Sequence, residues 1–197
     1  MLLKILVALV LIIAFALPYL VINPWAQRKN IKRSLKIKLD DKIPFRPNWS
    51  LVYFSAFPST VVFLFLILVK FPLLTVVKDF FLCIVFMIFC NLIWRFFPVK
   101  VERVEVNNVG TYFLKSIKLF TKKFPPYCCF PSAHTGFAVI ISFLYLYHFG
   151  VVAILVAILG TLIIISTLFT KQHTLADVMS GLALAGAICA VAWSCAL

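Results

Sequence analysis

Residues 2–22 read LLKILVALVLIIAFALPYLVI, a run in which Lys4 is the only charge. An α-helix rises 1.5 Å per residue, so crossing a hydrocarbon core of about 30 Å takes about 20 consecutive apolar residues. This stretch is apolar on every side, which predicts a membrane-spanning helix rather than an amphipathic helix on a soluble core. Ala14-Phe15-Ala16 has the small-residue spacing of a signal-peptidase site. The apolar run continues past it and little positive charge precedes it, so the segment reads as an uncleaved first span.

Five further runs have the same character: Leu51–Val69, Phe80–Phe97, Ala133–Phe149, Val151–Phe169 and Leu175–Leu197. The expectation is an all-α polytopic membrane protein, with residues 1–197 forming a single six-span transmembrane bundle. Composition agrees, since 64% of residues are hydrophobic and 13% charged, against about 25% charged in a soluble domain. No internal repeat stands out, and the length leaves no room for a second domain.

Lys and Arg number 19 and Asp and Glu 6, but the basic residues lie between the apolar runs. Membrane topology and anionic headgroups account for them, and no RNP-like or zinc-finger pattern points to nucleic acid. Counting helices puts connections 23–49, 98–130 and 170–174 on one face. The opposite face holds Lys4, Lys70 and Lys78. Charge asymmetry favours the cytoplasm for the basic face, in a multi-pass protein of the cell membrane. Within 23–49, Ile31, Leu35 and Leu39 are spaced for a short basic interfacial helix, while Leu35-Ile37-Leu39 also permits an extended stretch. The six cysteines include no C-x-x-C; four sit in apolar runs as packing residues, and Cys128-Cys129 lacks zinc-like spacing.

Two elements on the basic face carry chemistry. Phe130-Pro131-Ser132-Ala133-His134 opens the fourth run. Proline suits a first helical turn, and the free N–H groups there, with the Ser132 hydroxyl, suit an anion such as phosphate. His134 falls in that first turn. The second element runs from Ser166 to Asp177 and contains Thr167, Lys171 and His173. His173 and Asp177 are i, i+4 and share a helix face, where a carboxylate can hold one imidazole nitrogen and leave the other to attack. An acid at the edge of an apolar span needs a partner or a function. Two histidines, a carboxylate, a hydroxyl and a helix N-terminus match what phosphoryl transfer requires. The competing reading is a His/His/Asp metal site, which lacks independent support. His148, beside Tyr145 and Tyr147 at the opposite face, reads as an interfacial residue.

The order P-S-x-H, then S-x6-H-x3-D after one intervening helix, resembles the type-2 phosphatidic acid phosphatase and vanadium haloperoxidase superfamily. That family's pattern is K-x6-R-P, P-S-G-H and S-R-x5-H-x3-D. The last two motifs match at Pro131, Ser132, His134, Ser166, His173 and Asp177. The catalytic motifs would thus lie in 98–180. The resemblance implies a metal-independent enzyme with no cofactor, acting on a membrane lipid phosphate. His173 would form a phosphohistidine, Asp177 would orient it and His134 would protonate the leaving oxygen. Ser132, Ser166, Arg103, Lys100 and Lys171 would contact phosphate. Ala133 replaces the usual Gly, and Thr167 stands where the family has Arg, removing a bidentate clamp that Lys171 replaces only as a point charge. The first motif is degenerate, with Arg103 in the Arg role. Segment Ile43–Trp49 and the run ending at His173 also resemble the branch of inositol-phosphorylceramide synthases, which pass a phospho-headgroup to an alcohol. A lipid phosphatase is therefore expected, with a lipid phosphotransferase or a catalytically weak lipid-phosphate binder as alternatives.

Overall fold

A computed structural model describes residues 2–104 and 126–195. The chain forms helices α1 (Leu2–Arg28), α2 (Lys38–Lys42), α3 (Ser50–Lys70), α4 (Leu73–Phe96), α5 (Ala133–Phe149), α6 (Ile154–Phe169) and α7 (Leu175–Ser194). Single 3-10 turns at Pro47–Trp49 and Gly150–Ala153 precede α3 and α6. Among the described residues the only β-type pairing outside helices is the isolated bridge between Val99 and Cys128. The all-α expectation therefore holds. Among the described residues, four helices are long and apolar enough to cross a membrane: α1, α3 with its preceding turn, α4 and α7. Helices α5 and α6 are apolar but shorter, at 17 and 16 residues, or roughly 24–26 Å of rise.

Boundaries move where local chemistry overrides hydropathy. Helix α4 begins at Leu73, seven residues before the expected Phe80, so Lys78 lies inside a helix rather than in a turn. Pro72 takes the position before the first turn, where a proline ring is tolerated. Helix α6 begins three residues late because Gly150 has φ +60, a left-handed conformation that costs glycine little, and the chain re-enters helix through the 3-10 turn. The basic segment divides: residues 23–28 continue α1, residues 31–37 carry no regular structure, and helix returns in the five-residue α2 and the 3-10 turn at Pro47–Trp49. Neither sequence expectation for it covers the whole segment.

Helix α5 is the hub, packing against α3, α4, α6 and α7, while α1 lies along α4. The interior joins Phe63 and Ile67 of α3, Phe80, Phe86, Met87 and Trp94 of α4, Ile140 of α5, and Ala185 and Cys189 of α7. Outward-facing Leu, Ile, Val and Phe side chains cover α1 and α3, as a lipid-facing surface requires.

At the end remote from the motifs, Lys4 Nζ donates to Leu68 O at 3.0 Å and Phe71 O at 2.6 Å, satisfying carbonyls at the C-terminus of α3. His148 is not a free interfacial residue. Its Nε2 lies 2.9 and 3.1 Å from the two Asp79 oxygens, and both side chains are only 7% exposed. This pair ties the first turns of α4 to the last turn of α5, and it explains how a charged residue is accommodated inside α4. Breaking one side of a buried pair costs about 3–5 kcal/mol, whereas replacing both partners by apolar groups is often nearly neutral. His148→Leu is expected to lower the thermal midpoint in detergent by several degrees, and Asp79→Leu added to it to recover most of the loss. Equal loss in the single and double variants would contradict this.

Candidate active site

The chain approaching α5 is pinned before it enters the helix. Val101 N donates to Pro126 O at 3.1 Å, alongside the Val99–Cys128 bridge. Asn23 of α1, fully buried, accepts Tyr127 N at 3.0 Å and Cys128 N at 3.1 Å through Oδ1. Trp94 Nε1 donates to Pro131 O at 3.2 Å. Ser132 then caps α5: its Oγ accepts from Thr135 N at 3.3 Å and from Thr135 Oγ1 at 3.1 Å. The hydroxyl expected to bind phosphate thus also closes its own helix, a role that stabilises a helix by typically about 1 kcal/mol.

The connector from α6 to α7 is folded back on itself. Gln172 N and His173 N both donate to Thr167 O, at 2.9 and 3.3 Å, and Thr170 N donates to Ser166 O at 2.9 Å. Lys171 turns the chain with φ +55. Thr174 caps α7 in a reciprocal box: its Oγ1 accepts Asp177 N at 3.3 Å, and Asp177 Oδ2 accepts Thr174 N at 2.8 Å. Position 167, where the resembled family has arginine, is a fully buried threonine whose hydroxyl donates to Ile164 O at 2.7 Å. Ser166 is equally buried, its hydroxyl donating to Ile163 O at 2.6 Å.

A backbone hydrogen bond joins the two elements: Ser132 N donates to Asp177 O at 3.0 Å. The approach is possible because residue 181 is glycine. A Cβ there would lie 2.7 Å from Ser132 O and 3.1 Å from Thr135 Cβ. As a result His173 Nε2 and His134 Nδ1 are 3.3 Å apart. His173 Nδ1 faces Asp177 Oδ2 at 3.6 Å, so its Nε2 is the nitrogen directed away from the carboxylate. Both His173 Nδ1 and Asp177 Oδ1 are buried without a hydrogen-bond partner among the described residues. Such contacts commonly shorten when substrate binds. The His134 ring packs on Tyr53 with centroids 4.8 Å apart, a contact that the sequence did not signal.

A cavity of about 400 Å³ opens beside His173, with Ile43, Phe45, Arg103, Lys171 and Thr174 also in its walls. Arg103 hydrogen-bonds the Cys129 side chain, and its charge acts on Tyr53 and His134. The Cys129 thiol is pushed up to about 12, chiefly by burial, with Arg103 opposing the rise. Cys128 is raised by burial too. Both remain thiols at neutral pH and offer no thiolate nucleophile. Lys171 is engaged: its ammonium donates to Asp40 O at 2.7 Å and Ile43 O at 2.5 Å. Lys100 is exposed, with its backbone N–H on Arg33 O at 2.8 Å. The arrangement therefore gathers His134, His173, Asp177, Ser132, Arg103 and Lys171, and leaves Lys100 at the surface. Of the expected catalytic stretch 98–180, residues 105–125 lie outside the described residues. Among the described residues, no group of three or more His, Cys, Asp or Glu is gathered closely enough to hold a metal ion.

A family model described as the PAP2 superfamily matches residues 103–197. No curated protein and no solved structure matches the chain.

The close approach at Gly181 can be tested against Gly186 on the same helix, where a Cβ would meet nothing within 4 Å. Gly181→Ala is expected to destabilise the protein by about 1–3 kcal/mol through overpacking on backbone. Gly186→Ala should be neutral or slightly stabilising, since alanine favours helix over glycine by up to about 1 kcal/mol. Thermal midpoints in detergent read both, and indistinguishable midpoints would refute the tight junction.

Proposed function

Because a PAP2 superfamily model matches residues 103–197, we propose that the chain is a member of that superfamily and a membrane-embedded phosphatase acting on a lipid phosphate ester. The observation that carries this reading is the 3.3 Å separation of His173 Nε2 and His134 Nδ1 beside a cavity walled by Arg103 and Lys171. The four long apolar helices and the family membership make the protein an integral membrane protein. We read α5 and α6 as two further spans, giving a single six-span domain with the basic loops and the site on one face.

His173 attacks phosphorus through Nε2, forming a P–N bond as the P–O bond to the leaving alkoxide breaks. Asp177 faces the opposite ring nitrogen, favouring the tautomer that leaves Nε2 unprotonated and stabilising the cation that forms. His134 delivers a proton to the leaving oxygen. Water, activated by the same histidine acting now as base, then breaks the P–N bond and releases phosphate. Arg103 supplies positive charge to the equatorial oxygens, together with the N–H groups of the first turn of α5. Substrate enters by displacing the imidazole–imidazole contact, since 3.3 Å leaves no space for a phosphoryl group between the rings. The apolar wall at Ile43 and Phe45 suits an amphiphile whose phosphate lies at the floor and whose tail runs toward lipid.

Purified protein is expected to release phosphate from at least one lipid in a panel of lipid phosphates. Vanadate should inhibit and chelators should not. His173→Ala should lose turnover entirely, while His134→Ala should slow it by about 100- to 10,000-fold, most for poor leaving groups. Full turnover in His173→Ala would remove that residue from the nucleophile role. The buried Thr167 at the position of the family's arginine favours one second reading, a lipid-phosphate-binding protein without turnover. Binding that survives His173→Ala, with an inactive wild type, would select it.

A further inference from the structure

The segment between α1 and α3 carries seven Lys and Arg at 29–46, yet two of the chain's six acids, Asp40 and Asp41, stand in its midst. Asp41 is an ordinary surface partner of Lys36, at 2.6 Å. Asp40 is different. It is 6% exposed, and its carboxylate accepts two backbone N–H groups. Oδ2 takes Ile37 N at 2.8 Å, and Oδ1 takes Leu175 N at 2.8 Å. Leu175 is the first residue of α7, so a side chain 135 positions earlier closes the helix that begins one residue after Thr174 and two after His173. From the other side, Lys171 Nζ grips Asp40 O and Ile43 O. Arg46 N donates to Phe169 O at 2.9 Å, and the Trp49 and Phe169 rings lie 5.0 Å apart.

Resting on the reading of His173 as nucleophile, we propose that Asp40 is a positioning residue for it, and that Lys171 acts as its clamp rather than as a phosphate contact. Residues 169, 171 and 175 bracket His173, and each is bonded to the 40–46 segment. The connector therefore cannot shift without breaking bonds to that segment. The same residues build a wall of the cavity, so nucleophile and entrance are held by one strap. Charge reinforces the division of labour. A carboxylate on the first N–H of α7 neutralises the positive end of that helix. The N-terminus of α5 and Arg103 remain as the positive pole for substrate.

The test uses full-length protein in detergent, as wild type, Asp40→Ala, Asp40→Asn, Lys171→Met and the Ala/Met double variant. Two readouts are taken: kcat and KM on a lipid phosphate, and the rate of His173 carbethoxylation by diethyl pyrocarbonate, mapped by mass spectrometry with His148 as internal control. Asp40→Ala is expected to lower kcat by up to about 100-fold with little change in KM, because a misplaced group loses rate rather than binding. His173 labelling should quicken while His148 labelling stays constant. Asp40→Asn keeps one acceptor and should fall between. Lys171→Met should reproduce the kcat loss and be strongly non-additive with Asp40→Ala. Unchanged kcat and unchanged His173 labelling in both Asp40 variants would overturn the proposal, as would a pure KM increase in Lys171→Met that adds to the Asp40 effect. An inactive wild type would defeat the phosphatase reading alone, because the labelling arm still decides whether Asp40 positions His173. Should Asp40→Ala fail to fold, Asp40→Asn and Lys171→Met carry the same comparison.

Discussion

The hydrogen bond from Ser132 N to Asp177 O, made possible by the absent side chain at Gly181, is the contact on which the site depends. Helices α5 and α7 each begin with a capped turn; His134 lies in the first turn of α5, and His173 immediately precedes the cap of α7. Locking the turns together by backbone converts two sequence-distant imidazoles into neighbours. Backbone is the right material for this lock, because it has little rotamer freedom to lose and cannot swing away. With Asp177 serving at once as cap of α7, as acceptor of Ser132 N and as the group facing His173, one residue sets helix, junction and nucleophile.

Around that junction several buried polar groups serve to fix backbone. In an apolar protein an unpaired donor or acceptor costs more than in water-exposed loops. Asn23 holds the strand-like approach to α5, Thr167 O holds the connector to α7, and Asp40 closes α7 from outside. At the far end Lys4, Asp79 and His148 perform the matching task for α3, α4 and α5. The interior between the two ends is a packed layer rich in Phe, Ile, Met and small residues.

Much of this was legible in residue order. The apolar runs at 51–69 and 133–149 appear as helices within one residue of their expected limits, because hydropathy and helix length are local properties, while the helix over 2–22 runs on six residues to Arg28. The start of α5 was readable from Pro131-Ser132, whereas His173, expected to share a helix face with Asp177, lies two residues before α7 begins. The misread start of α4 has a physical cause: Lys78 and Asp79 look like turn residues until the partner of Asp79, 69 positions away, is known. The same holds for Asp40, whose acidic character in a basic run was visible but whose target, the N–H of Leu175, is a tertiary fact. Lys171 was expected to contact phosphate as a point charge; no local pattern could reveal that its ammonium faces the carbonyls of residues 40 and 43.

The superfamily match, over residues 103–197, includes both histidines of the site, while the elements that brace the site come largely from outside it: Asn23, Asp40 and Tyr53. The account stands or falls on a single bond, phosphorus to Nε2 of His173. Rapid acid-free quenching of the enzyme with a lipid phosphate, followed by mass spectrometry and phosphorus NMR of the modified peptide, reads it directly. The expected result is a base-stable, acid-labile phosphoryl group on His173 at Nε2. Phosphate on Nδ1, on His134, or on no histidine of a protein that is turning over would contradict it.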